Sequence, residues 1–156
     1  TLGPMHPDTL TSVNNVGILL QDRGKLEEAE PLYRRALDGR EATLGPMHPH
    51  TLGSVSNLGS LLQAQGKLEE AEPLYRRALD GKEATLGPMH PHTLGSVSNL
   101  GQLFQAQGKL EEAEPLCRRA LDGKEATLGP MHPDTLTSVN NVGILLQDRG
   151  KLEEAE

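Results

Sequence analysis

The chain has no tryptophan, one phenylalanine, two tyrosines and one cysteine in 156 residues. So few aromatics leave little with which to fill the centre of one large globule, and a hydrophobic share of 35% is low for such a core. A thin core divided among small units that cover one another suits this composition. The lone Cys117 excludes an intrachain disulfide and fits a reducing, cytoplasmic setting. No run approaches the ~20 apolar residues that a membrane-spanning helix requires. The net charge of −7 disfavours nucleic acid and anionic membrane as partners. A phosphate-binding glycine loop, a catalytic carboxylate pair and a serine triad are also missing, so nothing marks an enzyme or a cofactor site.

What is present is repetition. Residues 1–42, 43–84 and 85–126 are three full copies of one unit, and 127–156 repeats 1–30 letter for letter. The segment TLGPMHPHTLGSVSNLG stands at 43–59 and again at 85–101. The whole of 1–156 reads as a single repeat array, and as a window on a longer one.

Within the first copy, Gly3, Pro4 and Pro7 punctuate the start. Pro7 suits a first helical position, where a missing N–H is harmless, and Asp8 suits the positive end of the helix dipole. Leu10, Val13, Val16 and Leu20 recur at helical spacing, predicting a helix over Thr9–Gln21 whose core face adds Gly17. Gly24 is placed to stop it. A second helix follows with Leu26, Ala29, Tyr33, Ala36 and Leu37 on one stripe, ending at Gly45 and Pro46. Glu27, Glu28 and Glu30 crowd its start and Arg34, Arg35 and Arg40 follow, which matches the macrodipole. Pro31 removes one backbone bond and predicts a slight bend. Gly39, which recurs as Gly81 and Gly123, predicts a close approach by a neighbouring helix. Each unit is therefore two antiparallel helices joined by a tight glycine turn.

Val13, Val16-Gly17, Leu20, Ala29, Tyr33 and Ala36 follow the tetratricopeptide spacing. The run NNVGILLQDRGKLEEAEPLYRRAL, with LGPMHPHT after it, resembles the 42-residue variety found in kinesin light chains and nephrocystin-type arrays. Two departures stand out: aliphatic side chains replace both aromatics of the first helix, and the period exceeds the family's roughly 34 residues. The resemblance implies an all-α, right-handed α-solenoid that binds other proteins, with an extended peptide received in a concave groove lined by the first helices.

The copies do not differ at random. On a wheel of about 100° per residue, most differences in the first helix fall within roughly 60° of Thr11, opposite the core face. Down the chain this variable stripe reads Thr11, Asn14, Ile18, Asp22; Gly53, Ser56, Ser60, Ala64; Gly95, Ser98, Gln102, Ala106; Thr137, Asn140, Ile144, Asp148. One residue on the same face never changes: Asn15, Asn57, Asn99 and Asn141. An amide offers a donor and an acceptor together. The resemblance implies that this asparagine clamps a peptide backbone while the stripe sets preference. Drift at solvent-facing sites is the alternative for the stripe, and a bond to the adjacent helix the alternative for the asparagine. For the whole chain, the competing reading is a structural spacer, or an assembly or sensor arm of a larger protein. Positions 11, 14 and 18 carry no Lys or Arg in any copy, so an acidic ligand is expected to meet no counter-charge.

Other side chains read as structural. The six histidines lie in proline-bounded loops a repeat apart, which suits local hydrogen bonds rather than three or four converging metal ligands. Cys117 replaces Tyr75 at a core position, in the one copy where Phe104 replaces Leu62. Residues 127–156 hold a first helix and only the start of a second, which leaves Val139, Val142 and Leu146 short of a partner. Head-to-tail self-stacking against the open face of the first copy is the expected consequence.

Overall fold

The computed structural model describes residues 2–155. These form seven helices, and no strand is found among the described residues: α1 (Pro7–Asp22), α2 (Leu26–Leu44), α3 (Pro49–Ala64), α4 (Leu68–Leu86), α5 (Pro91–Ala106), α6 (Leu110–Leu128) and α7 (Pro133–Ala155). The fold is an all-α succession of helix-turn-helix repeats. Two compact units are distinguished, Thr1–Lys82 and Glu83–Glu156.

The repeated punctuation has a local cause. Each first helix starts at its proline, the first helical position expected of Pro7, and the preceding histidine caps it. His6 Nδ1 accepts the Asp8 N–H, His48 that of His50, His90 that of His92 and His132 that of Asp134, all at 3.1 Å. These four histidines are N-caps, which accounts for their recurrence without a metal. At the other end Gly24 sits at φ +76°, and the Lys25 N–H returns to the Leu20 carbonyl at 2.8 Å. That reversal favours glycine because an L side chain is strained there. The second helices run unbroken through Pro31, Pro73 and Pro115.

In the first unit, Leu10, Val13 and Gly17 of α1 pack on Ala29, Tyr33, Ala36 and Leu37 of α2, all buried. A Cβ at Gly39 would lie 2.5 Å from Leu10 Cδ2, so the close neighbour expected there is a leucine of the same repeat. In the second unit Gly123 and Leu94 meet in the same way.

The core face predicted from the spacing is incomplete. First helices bury a second face as well. Thr51, Ser54, Leu58 and Leu61 of α3 are buried, and Ser54 lies against α2 through Arg40. Leu103 and Leu145 are likewise fully buried, although position 19 is outside the expected core set. In α1 this face is open: Val16, expected inside, is 47% exposed and Leu19 50%. A first helix therefore needs its own second helix on one side and the preceding one on the other.

The last helix departs further from expectation. QDRGKLEEA makes a turn at 21–29, yet the identical residues 147–155 continue α7 without a break. At 21–29 the turn is held because Tyr33, Ala36 and Leu37 draw α2 back onto α1. Among the described residues no side chains draw 147–155 back in this way. The backbone keeps adding helical bonds, against a penalty of only ~1 kcal/mol for the glycine. Val142, expected to be uncovered, is buried on the α6 side, while Leu136, Val139 and Leu146 are exposed. The exposed apolar residues of α1 and α7 thus lie on different faces.

Candidate functional site

The first-helix stripe can be followed within each unit. In the first, α1 and α3 lie side by side. Thr11, Asn15, Ile18, Asp22 and Ala64 are exposed or half-buried, and Gly53, Ser56, Asn57 and Ser60 are half-buried. Asn14 departs from the expected open stripe: it is buried, because Asn57 Nδ2 donates to its Oδ1 at 3.1 Å. Beside it Gln21 Nε2 donates to Ser60 Oγ at 3.3 Å, and the Tyr33 hydroxyl donates to Gln21 Oε1 at 2.9 Å. In the second unit, α5 and α7 adjoin. Gly95, Ser98, Asn99, Asn141 and Asp148 are half-buried, while Gln102, Ala106, Thr137, Asn140 and Ile144 are exposed. Gln105 Nε2 donates to Asp148 Oδ2 at 3.2 Å. Several residues of the stripe therefore stitch successive first helices together.

A further set of side chains comes from the second helices. Arg40 of α2 is buried. Its guanidinium donates to Ser54 Oγ at 2.8 Å, the His50 carbonyl at 3.3 Å and Thr11 Oγ1 at 3.3 Å. Lys82 Nζ reaches Ser56 Oγ at 3.2 Å. Lys124 Nζ reaches Ser98 at 3.0 Å and Ser138 at 3.1 Å. Each cation ends among hydroxyls of the first helices. Burial lowers the pKa of all three, with the Asp134 carboxylate working the other way on Lys124.

These cations correct the expectation that the first-helix face lacks positive charge. No residue at positions 11, 14 or 18 supplies it; the second helix does, from behind. The signal was present: Tyr33, Ala36, Leu37 and Arg40 follow the spacing of one continuous helical face, so Arg40 extends the buried stripe by a turn.

Cys117 is buried, and burial raises its thiol pKa. A Cβ at Gly101 would meet its Sγ at 3.0 Å, in the place where the Tyr75 ring lies against Gly59. Among the described residues no three His, Cys, Asp or Glu side chains cluster to hold a metal ion. None of the described helices is long and apolar enough to cross a membrane.

The tetratricopeptide repeat family matches residues 8–84, 51–122 and 93–156. The chain belongs to the tetratricopeptide repeat family. Its fold is similar to the nearly identical TPR-like repeats assigned to a kinesin light chain of Podosopora anserina. That match has a TM-score of 0.86 and 30% identity, and covers 96% of this chain and 71% of the other. A point-substituted form of the same repeats matches with a TM-score of 0.85 and 26% identity, over 99% and 72%. BtubC (BKLC) from P. vanneervenii shares the fold alone, at a TM-score of 0.84 and 22% identity, over 96% of this chain and 60% of its own. No curated protein matches the chain in sequence. Tetratricopeptide arrays serve generally as protein–protein interaction scaffolds and typically carry no catalysis of their own.

Proposed function

We propose that this tetratricopeptide array binds an extended segment of a partner protein along its first helices, on α1 with α3 and on α5 with α7. The observation that carries the reading is an asparagine kept in every repeat, on a face that α3 and α5 line mostly with small residues. Asn57, Asn99 and Asn141 are half-buried there, beside Gly53, Ser56 and Ser60 or Gly95 and Ser98. Small side chains let a peptide backbone approach, and an amide can hold that backbone whatever its side chains. The variable residues, among them the exposed Ile18, Gln102 and Ile144, set preference. Arg40, Lys82 and Lys124 favour a segment bearing carboxylates.

A structural spacer is the second reading, and the bond from Asn57 to Asn14 favours it, because it engages the clamp amide within the protein. A peptide array probed with the full chain separates the two. Peptides that bind and are lost on Asn57→Ala with Asn99→Ala, at unchanged helicity, support the clamp. An array with no binder at all supports the spacer.

A further inference from the structure

The stripe residues at 11 and 14 change as a set with the cation at 40. The first copy carries Thr11, Asn14 and Arg40; the second and third carry Gly53, Ser56 and Lys82, and Gly95, Ser98 and Lys124. The two sets leave the constant asparagine of the following repeat in different states. In the first unit Arg40 donates to Thr11 Oγ1, at 3.3 Å. Asn14 is left to α3, and its Oδ1 accepts from Asn57 Nδ2 at 3.1 Å. In the second unit the cation takes the residue at 14 itself: Lys124 Nζ donates to Ser98 Oγ at 3.0 Å. A serine side chain is also one bond shorter than that of asparagine. Asn141 stands in its repeat where Asn57 does. It is half-buried, and its side chain makes no hydrogen bond among the described residues.

We propose that the residue at 14 decides whether the asparagine of the next repeat is free to hold a ligand: Asn14 locks Asn57, and Ser98 leaves Asn141 open. The lock exists without a ligand; its consequence for binding rests on the peptide-clamp reading. An amide already bonded within the protein must give up that bond before it can hold a peptide backbone, and the exchange returns little. An open amide gives up only water. An extended segment is therefore held more firmly beside α5 and α7 than beside α1 and α3. The residue at 14 sets where a segment is held, rather than which segment.

Asn14→Ser and Ser98→Asn test this, and each introduces a residue that other repeats already carry at that position. Proton exchange with water at the asparagine side-chain amides, followed by NMR on the full chain, reads the lock directly. Asn57 should exchange about fivefold more slowly than Asn141, the factor that one net hydrogen bond supplies. Asn14→Ser should bring Asn57 to the rate of Asn141, and Ser98→Asn should slow Asn141. Equal rates for the two asparagines in the parent chain overturn the proposal, as does an Asn57 rate that Asn14→Ser leaves unchanged. On a peptide array probed with each full chain, Asn14→Ser should raise the signal about two- to tenfold, and Ser98→Asn should lower it by a like factor. Bound peptides that ignore both substitutions overturn the proposal as well. Amide rates that shift as expected, with an array blank for all three chains, overturn the peptide clamp and leave the lock standing.

Discussion

Asn57 of α3 donates its side-chain amide to the buried Oδ1 of Asn14 on α1, 3.1 Å away. The two residues belong to successive repeats, and their bond closes the seam between the first helices. Asn57→Ala strands a buried acceptor and should cost about 1 kcal/mol of unfolding free energy. Asn15→Ala removes the equivalent residue from a helix where it is exposed, and should stay within about 0.5 kcal/mol of the parent chain. Urea denaturation of the two variants side by side measures the difference.

The hydroxyl of Thr51 is fully buried and has no hydrogen-bond partner. Valine has nearly the same shape and no polar atom. Thr51→Val should therefore stabilise the chain by about 1 kcal/mol, since an unbonded hydroxyl loses water without compensation. Thermal melting followed by circular dichroism shows this as a higher midpoint; a lower one means the hydroxyl is satisfied in solution.

Gly59 faces the Tyr75 ring, where a Cβ would stand 2.9 Å from the nearest ring carbon. Gly101 faces Cys117 instead, whose Sγ would lie at 3.0 Å. A ring wedged between helices cannot turn aside, whereas a single sulfur can rotate about χ1. Gly59→Ala should lose about 1–3 kcal/mol to overpacking, more than the ~1 kcal/mol that alanine gains in helix propensity. Gly101→Ala should come out close to neutral. Equal losses at the two sites would show that the ring yields as easily as the thiol.

Both tyrosines are buried. Burial pushes the Tyr33 phenol up to about 12, with the Asp22 charge adding to the shift. Burial also raises Tyr75, against an opposing hydrogen bond with Ser60. A raised acid pKa means that the folded state keeps a proton which the unfolded state gives up. The stabilisation is complete below the unfolded value of 10.0 and is lost as pH climbs from there toward about 12. Absorbance titration should show tyrosinate appearing late, together with loss of helix. Ionisation of both rings near their ordinary value of 10.0 with helix intact contradicts this burial.

Much of this architecture is legible because it is local. Pro7 and Gly24 fix where α1 starts and stops by backbone chemistry alone, and the spacing of Leu10, Val13 and Gly17 identifies the face that meets α2. Contacts across repeats are harder to read. Leu61 and Leu145 look like solvent positions on an isolated wheel and are buried because a second helix from the preceding repeat covers them. By position Arg40 is a surface charge matching the helix dipole, yet it continues the Tyr33 stripe and ends among hydroxyls of two other helices. The identical residues at 21–29 and 147–155 make the limit plain. One string makes a turn at 21–29, where Tyr33 and Leu37 of α2 are buried, and a straight helix at 147–155. For the proposed binding face, the constant asparagine is visible as a pattern, but its hydrogen bond to Asn14 depends on how two repeats are set side by side.

The junctions of α2 with α3 and of α6 with α7 use the same parts: a histidine-proline entry, a glycine exit, a leucine pressed on a glycine, and a cation reaching serines or threonines. Such a junction does not record which blocks it joins. Unequal recombination between near-identical gene segments can then add or delete whole blocks without any neighbour having to adapt, so the length of the array becomes a heritable variable that changes in single events while the packing stays as it was.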